Sequence, residues 1–187
     1  MVCFFYFCNQ FLKMRYFIDI SYDGSNYHGW QIQPNADTVQ HQINLAFSTI
    51  LNEEINVLGA GRTDTGVHAK KMIAHFDTNQ TIDFEKFKYR INWFLKNDIS
   101  LNDIYKVKDN AHARFSAISR TYEYRVSRTK NPFSVNSYFL LRDLDFQSMK
   151  KACKFLHGNH DYTSFAKLHS ENYTCLLYTS DAADECS

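Results

Sequence analysis

The sequence predicts an α+β protein, with a ferredoxin-like βαββαβ unit over residues 14–110 and an incomplete second α/β unit over residues 111–174. Three observations predict it. Short alternating runs of apolar, aromatic and β-branched residues recur between Arg15 and Lys108, and two segments of helical spacing each follow a capping residue. The two kinds of segment come in the order βαββαβ, which places two helices on one face of a sheet.

Arg15–Tyr22 alternates apolar and polar residues and reads as the first strand, and the turn-rich loop Asp23–Asp37 follows. Thr38 can cap a helix over Val39–Leu51, with Val39, Ile43, Ala46, Phe47 and Ile50 on one face. Ile55–Ala60 is expected as a short strand. Lys71–Asp77 is expected as another, with Met72, Ala74 and Phe76 facing one way and Ile73 and His75 the other. Asp83 can cap a second helix over Phe84–Leu95, and Ile99–Lys108 closes the unit as a strand. In the second unit Thr121–Ser127 alternates as TYEYRVS, Ser137–Leu141 reads as a strand, and Asp145–His157 has helical spacing.

With 44% hydrophobic and 22% charged residues over 187 positions, the chain has enough apolar surface for a core. No apolar run approaches the ~20 residues needed to span a membrane. Cys3, Cys8, Cys153, Cys175 and Cys186 show no CxxC spacing, so neither a zinc site nor a disulfide framework is expected. Their use suits a reducing, cytoplasmic setting. Met14 precedes the strand-like RYFIDISY, and residues 1–13 are expected to be a non-native extension. One codon choice for the peptide from Cys175, CLLYTSDAADE, matches a transposase adapter used for sequencing libraries. Residues 175–187 are therefore expected to be adapter-derived. Without both ends the net charge rises from +1 to +3.

Two segments carry the candidate chemistry. In GAGRTDTGVHA (Gly59–Ala69) Asp64 is the lone carboxylate, with Arg62 beside it and three glycines that let backbone approach a ligand. An aspartate in a turn ordinarily bonds its own backbone. The tripeptide Asp64-Thr65-Gly66 also suggests an aspartic protease, but an arginine next to the acid would spoil a shared-proton dyad. The second segment, AHARFSAISRTYEYRVSRTK, sets Arg114, Arg120, Arg125, Arg128 and Lys130 against the single acid Glu123, with Phe115, Tyr122 and Tyr124 between them. Cations that meet phosphates and rings that stack on splayed bases suit RNA, although a solvated strand face has the same pattern. His157 and His160 have no acid or cysteine at matching spacing, so no metal is expected there.

Taken together, YDGSNYHGWQIQP (Tyr22–Pro34), GAGRTDTGVHA, HARFSAISRTYEY (His112–Tyr124) and GNHDYTSF (Gly158–Phe165) resemble the TruA family of tRNA pseudouridine synthases, in order and spacing. The resemblance implies the pseudouridine synthase fold and the isomerisation of uridine to pseudouridine at positions 38, 39 and 40 of the tRNA anticodon stem-loop. Asp64 would be the catalytic aspartate, Tyr122 would lie against the target base, and Arg62 would hold the nucleotide out of its helix. It further implies a homodimer with a shared basic cleft and no cofactor. Thr65 stands where the family often has alanine, and Lys96-Asn97-Asp98-Ile99 where it has an LPxDI-like turn. The family continues beyond Thr174 with strands that complete the second unit, which leaves the activity of the chain as it stands open. The rival reading is a non-catalytic RNA-binding fragment of the same fold, although the aromatic signature of an RRM is absent.

Overall fold

A computed structural model describes residues 13–133, 137–161 and 176–179. The expected extension, except Lys13, the YTSF end of the last motif, and most of the expected adapter tail lie outside the described residues. The chain divides into two units between Thr121 and Tyr122.

The first unit contains, in order, β1 (Met14–Tyr22), α1 (Val39–Leu51), β2 (Leu58–Gly59), β3 (Ala69–Thr78), α2 (Phe84–Phe94) and β4 (Ile99–Lys106). The sheet order is β2-β3-β1-β4, with every neighbouring pair antiparallel. This is an α+β architecture on an antiparallel sheet. Tyr16, Ile18 and Ile20 of β1 face the two helices, opposite Phe76, Ala74 and Met72 of β3. On β4, Ile18 opposes Ile104 and Ile20 opposes Leu101, so an extra residue bulges out between them. That bulge brings both Leu101 and Ile104 inward. Phe47 of α1 meets Phe76 and Phe87 edge-on, with ring centroids 5.0 and 5.1 Å apart, and ties both helices to the sheet.

The caps act as the sequence suggests. Thr38 Oγ1 accepts from His41 N–H at 3.4 Å, and an Asp83 carboxylate oxygen accepts from Lys86 N–H at 3.3 Å. The strand expected over Ile55–Ala60 shrinks to two residues, because α1 takes its backbone groups. Ile55 N–H donates to Ser48 Oγ (2.9 Å), Val57 N–H donates to Asn44 Oδ1 (2.9 Å), and Val57 O accepts from Gln40 Nε2 (2.7 Å).

On the sheet's other face Arg15 grips Asp77 through two bonds of 2.7 Å and donates to Ala111 O at 2.8 Å. Ala113 is buried there, and its N–H donates to Nδ1 of the buried His75. Burial, helped by the nearby Arg15 and His112 charges, pushes the His75 imidazole down to about 4. These contacts, with Arg120 bonded to Ala60 O, tie residues 111–121 to the first sheet. The sequence had placed that segment in the second unit.

The second unit contains β5 (Val126–Ser127), β6 (Tyr138–Phe139), α3 (Phe146–Leu156), β7 (Gly158–Asp161) and β8 (Leu176–Thr179). β5 pairs parallel with β6 over two residues, and β7 pairs antiparallel with β8. The strand expected over Thr121–Ser127 forms only at its end, where a two-residue partner satisfies its backbone. Among the described residues no helix is long and apolar enough to cross a membrane.

Candidate active site

Two loops meet at the end of the first sheet. One is Tyr22–Pro34, which leaves β1; the other is Gly59–Ala69, which joins β2 to β3. The first has glycines where the second comes closest. A Cβ on Gly24 would lie 2.1 Å from Val67 O, and one on Gly29 would lie 2.3 Å from Thr63 O. Gly29 also has φ +86°, a conformation that side chains disfavour.

Hydrogen bonds then lock the two loops together. Trp30 N–H donates to Thr63 O (3.1 Å), and Gly66 N–H donates to Tyr27 O (3.2 Å). The hydroxyls of Tyr22 and Thr63 lie 2.9 Å apart. Burial raises the Tyr22 phenol above its ordinary value. Nδ1 of His68 lies 3.1 Å from Gly24 N and 2.9 Å from Asp23 Oδ1. A bare Nδ1 accepts from Gly24, whereas a protonated one donates to Asp23. Tyr27 is braced from behind by its hydroxyl, which donates to Asp98 Oδ1 at 2.6 Å.

Asp64 sits at the crest of this clasp. Its carbonyl accepts from Val67 N–H at 3.2 Å, closing a turn, and its side chain is exposed. Arg62 is exposed two residues before it. Among the described residues the two form no ion pair with each other. The loop therefore presents a carboxylate and a guanidinium outward on a backbone fixed from both sides.

The basic segment contributes to the same loop. The Arg120 guanidinium donates to Ala60 O (2.8 Å) and to Arg114 O (3.0 Å), strapping residues 114–120 to the start of the Asp64 loop. Arg114 is exposed beside Phe115, its guanidinium carbon 5.8 Å from the ring centroid.

The sequence profile of the tRNA pseudouridine synthase family matches residues 19–116, a span holding both loops. The chain belongs to the tRNA pseudouridine synthase family. It is 46% identical to tRNA pseudouridine synthase A of Bacteroides thetaiotaomicron over 169 residues, which are 90% of this chain and 63% of that protein. It is also 46% identical to the Azobacteroides pseudotrichonymphae protein of that name over 90% of this chain and 68% of the relative. For the Listeria monocytogenes protein the figures are 42%, 91% and 71%. The chain thus spans a little under two thirds of the Bacteroides relative, 63% of its length.

In this family member the remaining site candidates fall in the second unit. Tyr122 and Tyr124 are 79% and 81% exposed, with their rings available for stacking. Arg125 pairs with Glu123 at 2.5 Å, and Arg128 pairs with Asp143. Both guanidiniums are thus partly neutralised. Among the described residues no group of three or more His, Cys, Asp or Glu is arranged to hold a metal ion. His160 Nε2 instead lies 3.0 Å from His157 O.

Sequence reasoning singled out Asp64 and Arg62 as candidates but not the groups that fix the loop carrying them: Tyr22, Thr63, Tyr27 and Asp98. The one available signal was that both glycine-marked loops leave strand ends, where a clasp can form.

Proposed function

We propose that this chain carries the Asp64 half of a tRNA pseudouridine synthase, which isomerises uridine at positions 38, 39 and 40 of the anticodon stem-loop. Asp64 is the catalytic carboxylate, Arg62 holds the displaced nucleotide, and Tyr122 stacks on the uracil. Arg114, Arg120, Arg125 and Arg128 meet phosphates. The first unit is ferredoxin-like and belongs to the pseudouridine synthase fold, and the protein works in the cytoplasm as a homodimer without cofactor.

One observation carries the reading: Asp64 is exposed on a turn whose backbone is fixed on both sides by the Tyr22–Pro34 loop. Such pre-organisation suits a group that must meet a flipped nucleotide in one geometry. The reaction breaks the bond from N1 to the ribose C1′ and joins C1′ to C5 of the same uracil. The C5 proton leaves for solvent and N1 gains one, so no redox partner or group donor is consumed. An ionised carboxylate can serve as nucleophile toward the sugar or the base, or as the base that removes a ribose proton.

The test is release of tritium from an anticodon stem-loop carrying [5-³H]uridine. Asp64→Asn should lower release by roughly 10²–10⁴-fold while filter-binding affinity for the RNA holds. Undiminished release from Asp64→Asn would remove Asp64 from the chemistry. Equal RNA binding by both chains with no release from either would support the RNA-binding fragment instead.

A further inference from the structure

Thr63, which directly precedes Asp64, is held at two separate atoms. Its carbonyl accepts from Trp30 N–H at 3.1 Å, and its hydroxyl meets the Tyr22 hydroxyl at 2.9 Å. Tyr22 is the last residue of β1 and only 4% exposed, with its ring among the sheet core and tilted against Trp30 at a 6.0 Å centroid distance. Its hydroxyl is thus the tip of a rigid strut. The body cannot move without disturbing the sheet, and the tip ends one residue from the reacting carboxylate. Trp30 closes the other side, because its ring packs where a Cβ on Gly59 would lie.

We infer that Tyr22 is a positioning residue for Asp64, acting through the Tyr22–Thr63 hydroxyl pair to fix the backbone from which the carboxylate projects. This rests on the reading of Asp64 as the reacting group. The Thr63 carbonyl bond alone leaves the peptide plane before Asp64 able to tilt about one contact. The second bond, through the side chain, removes that freedom. A carboxylate misplaced by a fraction of an ångström costs rate and little affinity, because the RNA is gripped mainly through its phosphates.

The experiment compares Tyr22→Phe, Thr63→Val, their double variant and Thr63→Ser in the full chain, by tritium release and by amide hydrogen exchange over Asp64–Val67. Tyr22→Phe should lower kcat by about tenfold, the scale of one lost hydrogen bond, with KM for the stem-loop within about twofold. Thr63→Val should match it, and the double variant should be no worse than either single change, because both delete one shared bond. Thr63→Ser keeps the hydroxyl and should retain kcat within about twofold. Loop exchange should quicken in the first three variants and not in Thr63→Ser.

Unchanged loop exchange in both Tyr22→Phe and Thr63→Val would overturn the inference, as would multiplicative losses in the double variant. Turnover that survives Asp64→Asn, combined with quickened loop exchange in Tyr22→Phe and Thr63→Val, would keep the strut and discard the catalytic reading of Asp64. The two failures are therefore distinguishable.

Discussion

The two units use similar sequence patterns and reach different ends. Between Tyr16 and Ala113 the helix faces and strand faces close on each other, and every buried hydrophobic side chain among the described residues lies in that span. From Tyr122 onward, Phe133, Leu141 and Phe155 are more than 80% exposed, and α3 buries none of its side chains, although its apolar positions have helical spacing. Amphipathic spacing makes a helix possible, but only a sheet within reach turns that spacing into a core.

The largest expected effect tests that contrast directly. Phe47, 1% exposed and wedged between two other rings, should cost about 3–5 kcal/mol when changed to Ala. Phe155, 82% exposed, should cost less than about 0.5 kcal/mol when changed in the same way. Urea unfolding of both variants measures the difference. A comparable loss from Phe155→Ala would mean that α3 is covered in solution, and the contrast between the units would fail.

The next effect sharpens the contrast through pH. His75 lies buried and neutral in the first unit, with its pKa pushed down to about 4 by burial. In the unfolded chain it takes a proton near 6.5. Between those values the unfolded state binds more protons, so stability is intact above about pH 6.5 and falls as pH drops toward 4. The full loss from this one group is roughly 3 kcal/mol. A His75→Gln chain should show a flatter fall in melting temperature between pH 7 and pH 4. An equally steep fall in the variant would place the acid sensitivity elsewhere.

What the sequence made legible follows the same division. The start of α1 was readable because Thr38 caps it through local chemistry, and the structure ends the helix at Asn52 in a left-handed conformation. The shortening of β2 was not, since it depends on Ser48, Asn44 and Gln40 reaching across from a helix already in place. Likewise TYEYRVS alternates as a strand should, but alternation supplies no partner, and only Val126–Ser127 finds one. At the site, Asp64 stood out by composition. The clasp around it joins loops from opposite ends of α1, and such contacts leave no mark in local spacing.

A smaller effect belongs to that clasp. Gly29→Ala puts a Cβ into the Thr63 carbonyl at a positive φ, and should cost about 1–3 kcal/mol. Gly66 also has a positive φ, +78°, but nothing lies within 4 Å of where its Cβ would stand. Gly66→Ala should therefore keep only the conformational part of the penalty, about 1 kcal/mol. Chemical denaturation of the pair separates close approach from backbone strain. Equal losses would mean that Thr63 moves aside easily, and the loops would be less tightly locked than their distances imply.

The smallest effect compares the same device in both units. Asp83 caps α2 by accepting from Lys86 N–H, and Asp145 caps α3 by accepting from Ser148 N–H at 2.9 Å and from Ser148 Oγ at 2.6 Å. Locally the two caps are alike, since the second oxygen of Asp83 also pairs with Lys86 Nζ at 3.0 Å. Yet α2 contributes Phe87 and Ile91 to the core, so fraying its first turn is felt by the whole first unit. Asp83→Ala should therefore lower the main melting transition by a few degrees. Asp145→Ala should leave that transition in place and show itself only as faster amide exchange in the first turn of α3. If Asp145→Ala instead shifts the main transition as far as Asp83→Ala, α3 melts cooperatively with the first sheet. A cap's effect on stability would then follow from what its helix melts with, rather than from how many side chains that helix buries.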